Sequence, residues 1–177
     1  MSGLLQIGTH TVSAAAYEFL LMEAVNRVVS VSAPEGDGIR AKKILTDLGY
    51  AMGYRLCERF SAKISSFDSV MDVFKFLCKD LWTVLFCKPV DKLQTNKQGL
   101  YVIHDAQFRW FKALSPLIDA EAGADHESLL TIRGFYLAFA CGAVKGALAN
   151  LGLSVSCQAE AKGAACKFVP TQVADLL

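Results

Sequence analysis

Charge is scarce in this chain, and so is anything that would organise it around a metal, a disulfide or a phosphate. Of 177 residues, 18 are Lys or Arg and 17 are Asp or Glu, so the charged share is 20% and the net charge +1. A typical soluble domain is about a quarter charged. With so small a net charge, no overall field draws nucleic acid or an anionic membrane. The basic residues are dispersed in pairs such as Lys42–Lys43, Arg55 with Arg59, and Lys88 with Lys92, which read as solvated faces. Proline (4) and glycine (13) are too few for a fibrous or low-complexity chain. Six cysteines occur without one C-x-x-C pair, and the histidines, His10, His104 and His126, supply no zinc spacing. Met1–Ser13 lacks the basic start and apolar stretch of a secretory signal, so the cysteines are expected as free thiols packing like small hydrophobes. Phosphate-cradling glycine loops and the G-x-S-x-G elbow are missing as well. No metal, no cofactor, no catalytic residue and no nucleic-acid partner is expected.

What the chain does have is apolar residues: 53% of the sequence, with a mean hydropathy of +0.34. Such a balance points either into a membrane or to a partner that covers apolar surface. The length fits a single domain, 1–177, with 1–13 expected as a flexible extension. Four segments show helical periodicity. In the first, Ala16, Tyr17, Leu20, Leu21, Ala24, Val25, Val28 and Val29 form one broad apolar face, ended by Ala33-Pro34-Glu35-Gly36. The second, about 37–62, steps in fours through Ile44, Leu48, Met52, Leu56 and Phe60, and its Gly49 and Gly53 predict a close approach by a neighbour. The third follows Ser65-Ser66, with Ser66, Asp68 or Ser69 as its cap, Ser69 having Asp72 at capping-box spacing, and ends before Pro89.

The fourth helix, about 128–151, tests the membrane branch. Only 11 residues separate Arg133 from Lys145, against the roughly 20 a bilayer requires. It is therefore expected to be a buried helix, with Gly134, Ala138, Gly142 and Gly146 as a small-residue stripe against a sheet. Leu100–His104 and Phe108–Leu114 are expected to form a hairpin around Asp105-Ala106-Gln107, and 116–126 a loop. Leu153–Ala161 and Ala164–Val169, joined at Lys162-Gly163, form a second hairpin. The fold class is α+β, an antiparallel sheet with helices packed on it.

Lys75-Phe76-Leu77-Cys78-Lys79-Asp80-Leu81-Trp82-Thr83 resembles the small-subunit superfamily of the TRAPP (transport protein particle) complex, sixth-subunit type. The likeness continues through Phe86, Lys88, Asp91, Leu93, Thr95, Asn96, Gln98, Gly99, Tyr101, Val102 and Phe108-Arg109. It resumes at Tyr136-Leu137-Ala138-Phe139, Cys141-Gly142, Gly146, Leu148 and Asn150-Leu151-Gly152, and closes at Ala159-Glu160 and Cys166-Lys167-Phe168. Upstream, Leu48-Gly49, Gly53 and Glu58-Arg59-Phe60 fit the second helix of the same pattern. The first dozen residues match nothing in it, and Ala113–Leu130 is longer than its counterpart.

The resemblance implies a four-stranded antiparallel sheet with several helices on one side. It also implies a non-catalytic subunit that heterodimerises with the acyl-bearing TRAPP subunit of the same fold. The resulting tethering complex activates a Rab-type GTPase in traffic between endoplasmic reticulum and Golgi. The chain would then be cytoplasmic, held peripherally at those membranes through the complex. Leu20, Leu21, Ala24, Val25, Val28, Leu48, Met52, Leu56 and Phe60 are expected to be divided between the core and the dimer interface. The alternative is a domain of the same fold that binds a lipid or another small hydrophobic ligand. By analogy with the acyl-bearing partner, Cys57 and Cys78 are the thiols to consider for acylation, but the resemblance implies a subunit that is not acylated, and both are expected as buried inert thiols.

Overall fold

The structure, a computed structural model, describes residues 4–7, 10–32, 38–96, 100–111 and 126–172. A short hairpin, β1 (Leu4–Ile7) and β2 (His10–Ser13), leads directly into α1 (Ala14–Ser32). The sequence reading had this stretch as an extension without elements. Ser13 caps α1, its Oγ accepting from the Ala16 amide at 3.5 Å.

α2 (Gly38–Ser61) buries Ala41, Leu45, Gly49, Gly53 and Cys57, one residue every fourth position. The large apolar row, Ile44–Leu48–Met52–Leu56–Phe60, stands beside that seam and is half-buried, with Leu48 exposed. α3 (Val70–Phe76) opens on Ser69, whose Oγ accepts from the Asp72 amide while Lys75 pairs with Asp72 at 2.9 Å. The rod continues through a π-helical turn, Leu77–Leu81, into α4 (Trp82–Phe86). It ends where Cys87 takes a left-handed conformation at φ 59°.

A four-stranded antiparallel sheet follows, in the order β3 (Lys92–Thr95), β4 (Tyr101–Asp105), β6 (Ala165–Gln172), β5 (Val155–Lys162). The first hairpin is therefore β3 with β4, Lys92 opposite His104 and Thr95 opposite Tyr101, and not Leu100–His104 with Phe108–Leu114. Residues 109–111 form a helical turn instead, and 112–114 lie outside the described residues. The physical reason is that Phe108, Trp110 and Phe111 are all buried, whereas a strand would have turned alternate side chains outward. They join Trp82, Phe86, Phe139 and Phe168 in a connected aromatic cluster, with ring centroids 4.6 to 5.8 Å apart.

α5 (His126–Asn150) runs beside α2 and over β5. Its Thr131–Asn150 part is long and apolar enough to cross a membrane by length and composition, yet 67% of its most apolar window is buried inside the protein. Its glycines meet α2 and not the sheet, which corrects the expectation above. A Cβ added at Gly142 or Gly146 would lie 2.1 Å from the Thr46 carbonyl oxygen or 2.0 Å from that of Tyr50. One added at Gly49 or Gly53 would lie 2.1 Å from the Phe139 oxygen or 2.0 Å from that of Ala143. The two backbones touch, and only glycine permits this. Thr46 reinforces the seam, its Oγ1 within 3.2 Å of the Ala138 carbonyl oxygen.

Candidate functional site: an open helical face

The residues expected at an interface separate cleanly. Leu21 (5% exposed) and Val25 (2%) belong to the core of this chain and are unavailable to a partner. Ala24, Val28, Met52, Leu56 and Phe60 are half-buried. Leu20 (70%) and Leu48 (46%) are exposed. Phe19 and Val31, which the sequence reading left out, are also exposed large hydrophobics on α1. The signal that could have found Phe19 was its place one residue outside the apolar stripe, where a monomer prefers a polar side chain.

The face is held by specific contacts. The Tyr17 hydroxyl reaches Met52 Sδ at 3.7 Å across α1 and α2. Burial pushes that phenol well above its ordinary pKa, aided by Cys87 and Glu18 nearby. Arg109 Nε is ion-paired with Glu18 Oε1, tying the helical turn after the sheet to α1.

Both thiols considered for acylation are buried. Cys57 is buried and its thiol pKa is pushed up to about 11, mainly by desolvation and against a hydrogen bond from Ser61. Cys78 is buried too, and desolvation raises it to about 12. Both stay protonated and poorly nucleophilic at neutral pH. A crevice lined by Glu18, Leu21, Met22, Trp110 and Tyr136 holds about 170 Å³ of space and no room for a water molecule. An acyl chain does not fit it.

A buried polar lock escaped the sequence reading, which placed Asp105 in a plain turn. Asp105, 1% exposed, accepts from Trp82 Nε1 at 2.9 Å, pairs with Lys88 Nζ at 2.7 Å and accepts from the Gln107 amide at 3.1 Å. Lys88 also pairs with Asp91 at 2.7 Å, and Asp91 accepts from the Ala106 amide. All its charges are spent on neighbours, so it is a clamp joining α4 to the sheet. The His104 ring bonds Gln94 at 2.8 Å on the outer side of the sheet. Among the described residues no three His, Cys, Asp or Glu side chains come together as a metal site.

Residues 17–172 match the family described as Transport protein particle (TRAPP) component. The chain belongs to the TRAPP component family. Trafficking protein particle complex subunit 6b of Danio rerio is 39% identical over 155 residues, 87% of this chain and 93% of that protein. Subunit 6B of Homo sapiens is 38% identical, covering 85% and 92%. The resemblance to the sixth-subunit type therefore holds, and the chain is a TRAPP component in vesicle trafficking. The fold is shared with a crystal structure of trafficking protein particle complex subunit 3 from Naegleria fowleri, covalently bound to palmitic acid. That match has a TM-score of 0.66 at 16% identity and covers 90% of this TRAPP chain and 97% of the other.

Proposed function

We propose that this chain is a non-catalytic core subunit of a TRAPP tethering complex, and that it pairs with a related subunit of the same fold through the outer faces of α1 and α2. The observation that carries the reading is the apolar surface left open there. Phe19, Leu20, Val31 and Leu48 are exposed at the margin of half-buried Ala24, Val28, Met52, Leu56 and Phe60. Large apolar side chains left exposed on packed helices suggest an interaction face. The partner is the acyl-bearing TRAPP subunit, the assembly exchanges nucleotide on a Rab-type GTPase, and this chain scaffolds it at Golgi and endoplasmic reticulum membranes.

The test is co-expression with a subunit 3-type partner, followed by affinity capture. Leu20→Asp with Leu48→Asp is expected to abolish capture while the helical circular dichroism stays unchanged. Undiminished capture sinks the pairing face. A complex that forms but accelerates no GDP release from any Rab tested sinks the exchange reading alone.

A further inference from the structure

The sheet has a second face that none of the described helices covers. Strand alternation turns Ile103, Asp105, Cys166 and Phe168 into the protein and leaves Lys92, Gln94, Val102, His104, Lys167 and Val169 on the outside. The register sets Lys92 opposite His104, His104 opposite Lys167, and Lys167 opposite Glu160, a single row across all four strands. Lys162 is exposed two residues further along β5, on the same face. Directly opposed side chains have Cβ atoms about 5 Å apart, and the one charged pair set directly opposite here, Lys167 with Glu160, is of opposite sign. Yet Lys92, Lys162 and Lys167 make no ion pair with any described residue, and Glu160 is the one carboxylate in the row. At the β3 end of the same face lies a depression of about 520 Å³, lined by Leu93, Gln94, Thr95, Asn96, Leu100 and Val102.

We propose that this face docks an acidic, extended protein segment, its carboxylates on Lys92, Lys167 and Lys162 and an apolar side chain in the depression. A bilayer fits less well on shape. Lysines near an anionic membrane contribute about 1 kcal/mol each and exposed ion pairs no more than that, so charge alone does not separate the two. Lipid headgroups leave the depression unfilled, whereas a peptide combines charge with an apolar anchor. The row spans three inter-strand gaps, about 14 Å in all, which matches a few residues of extended chain. The face shares no residue with the α1 and α2 surface, so the inference does not rest on the pairing proposed above.

The full chain is titrated with two dye-labelled peptides and followed by fluorescence anisotropy. One carries Asp and Glu around a central Leu; the other carries the corresponding amides. The acidic peptide is expected to bind about tenfold tighter or better, and to lose about tenfold when salt is raised from low to several times physiological ionic strength. The variant Lys92→Gln, Lys162→Gln, Lys167→Gln is expected to lose about tenfold with its melting temperature unchanged, since all three are surface positions. Equal binding of the two peptides, or an undiminished titration by the triple variant, overturns the proposal. So does capture by phosphatidylserine vesicles in the absence of any peptide binding.

Discussion

Two adjacent rows of α2 look alike in a hydropathy plot and do opposite things in the fold. Ala41, Leu45, Gly49, Gly53 and Cys57 are sealed, two of them against the bare backbone of α5. Ile44, Leu48, Met52, Leu56 and Phe60, the next row round the helix, carry far more apolar volume and yet stand half-open. Size runs contrary to burial. The inner row carries two glycines where α5 approaches to backbone contact, and among the described residues the outer row is only partly covered. Apolar bulk left outside a seam that close is what a partner at the proposed pairing face would cover.

The sharpest way to break this contrast is to put volume into the sealed row. Gly53→Leu or Gly142→Leu places a Cβ 2.0 to 2.1 Å from a main-chain carbonyl oxygen, which no side-chain rotation relieves. A loss of about 3 kcal/mol or more is expected, with a fall in Tm on the order of 10 °C by circular dichroism. A loss below about 1 kcal/mol would mean the helices separate freely and the seam is not what orders the fold.

A charge at Val25 and a charge at Leu20 test the same division on α1. Val25→Asp buries a carboxylate with no partner and is expected to cost about 3 kcal/mol, removing fold and partner binding together. Leu20→Asp, at a position 70% exposed, is expected to stay within about 0.5 kcal/mol of the parent while losing partner capture. Equal melting temperatures for the two would erase the distinction between core and face.

How much of this was legible beforehand depends on how local the signal is. The four helices showed in their 3.6-residue period, and the Ser69 cap in its spacing. Gly49 and Gly53 announced a close neighbour, but not which one. Pairing them with Gly142 and Gly146 needs contacts about 90 residues apart in the chain, so the stripe on α5 was assigned to the sheet. β3 was missed because Lys92-Leu93-Gln94-Thr95 is a short, polar edge strand with almost no apolar alternation. Phe108–Leu114 was misread because aromatic residues favour strands on average, and tertiary burial of Phe108, Trp110 and Phe111 outweighed that average. The candidate face was legible as apolar helix, and its division from the core was not, since an interface and a core have the same composition.

The contrast between sealed and open recurs in the polar lock. Asp105 is its inner member, and Asp105→Ala strands the Trp82 indole N–H and leaves Lys88 with Asp91 alone, at an expected cost of about 2 kcal/mol. Asp91 is its outer member, and there the effect shrinks. The hydrogen bond from Lys88, followed by the Ala106 amide, holds the Asp91 carboxyl below its ordinary value of 3.8. Lys88 is raised in turn, because its bonds to Asp105 and Asp91 together outweigh a desolvation that would lower it. For Asp91 the folded-state value is the depressed one, so its contribution is complete above the unfolded value and is lost as pH falls through the folded one. Stability should therefore hold from neutral pH down to about 4 and fall below it. Asp91→Asn should flatten that acid limb slightly, by less than Asp105→Ala lowers the whole curve, because water screens the outer pair. Chemical denaturation at a series of pH values reads both effects. If Asp91→Asn costs as much as Asp105→Ala at neutral pH, exposure does not rank the two carboxylates, and the lock is a single cooperative unit.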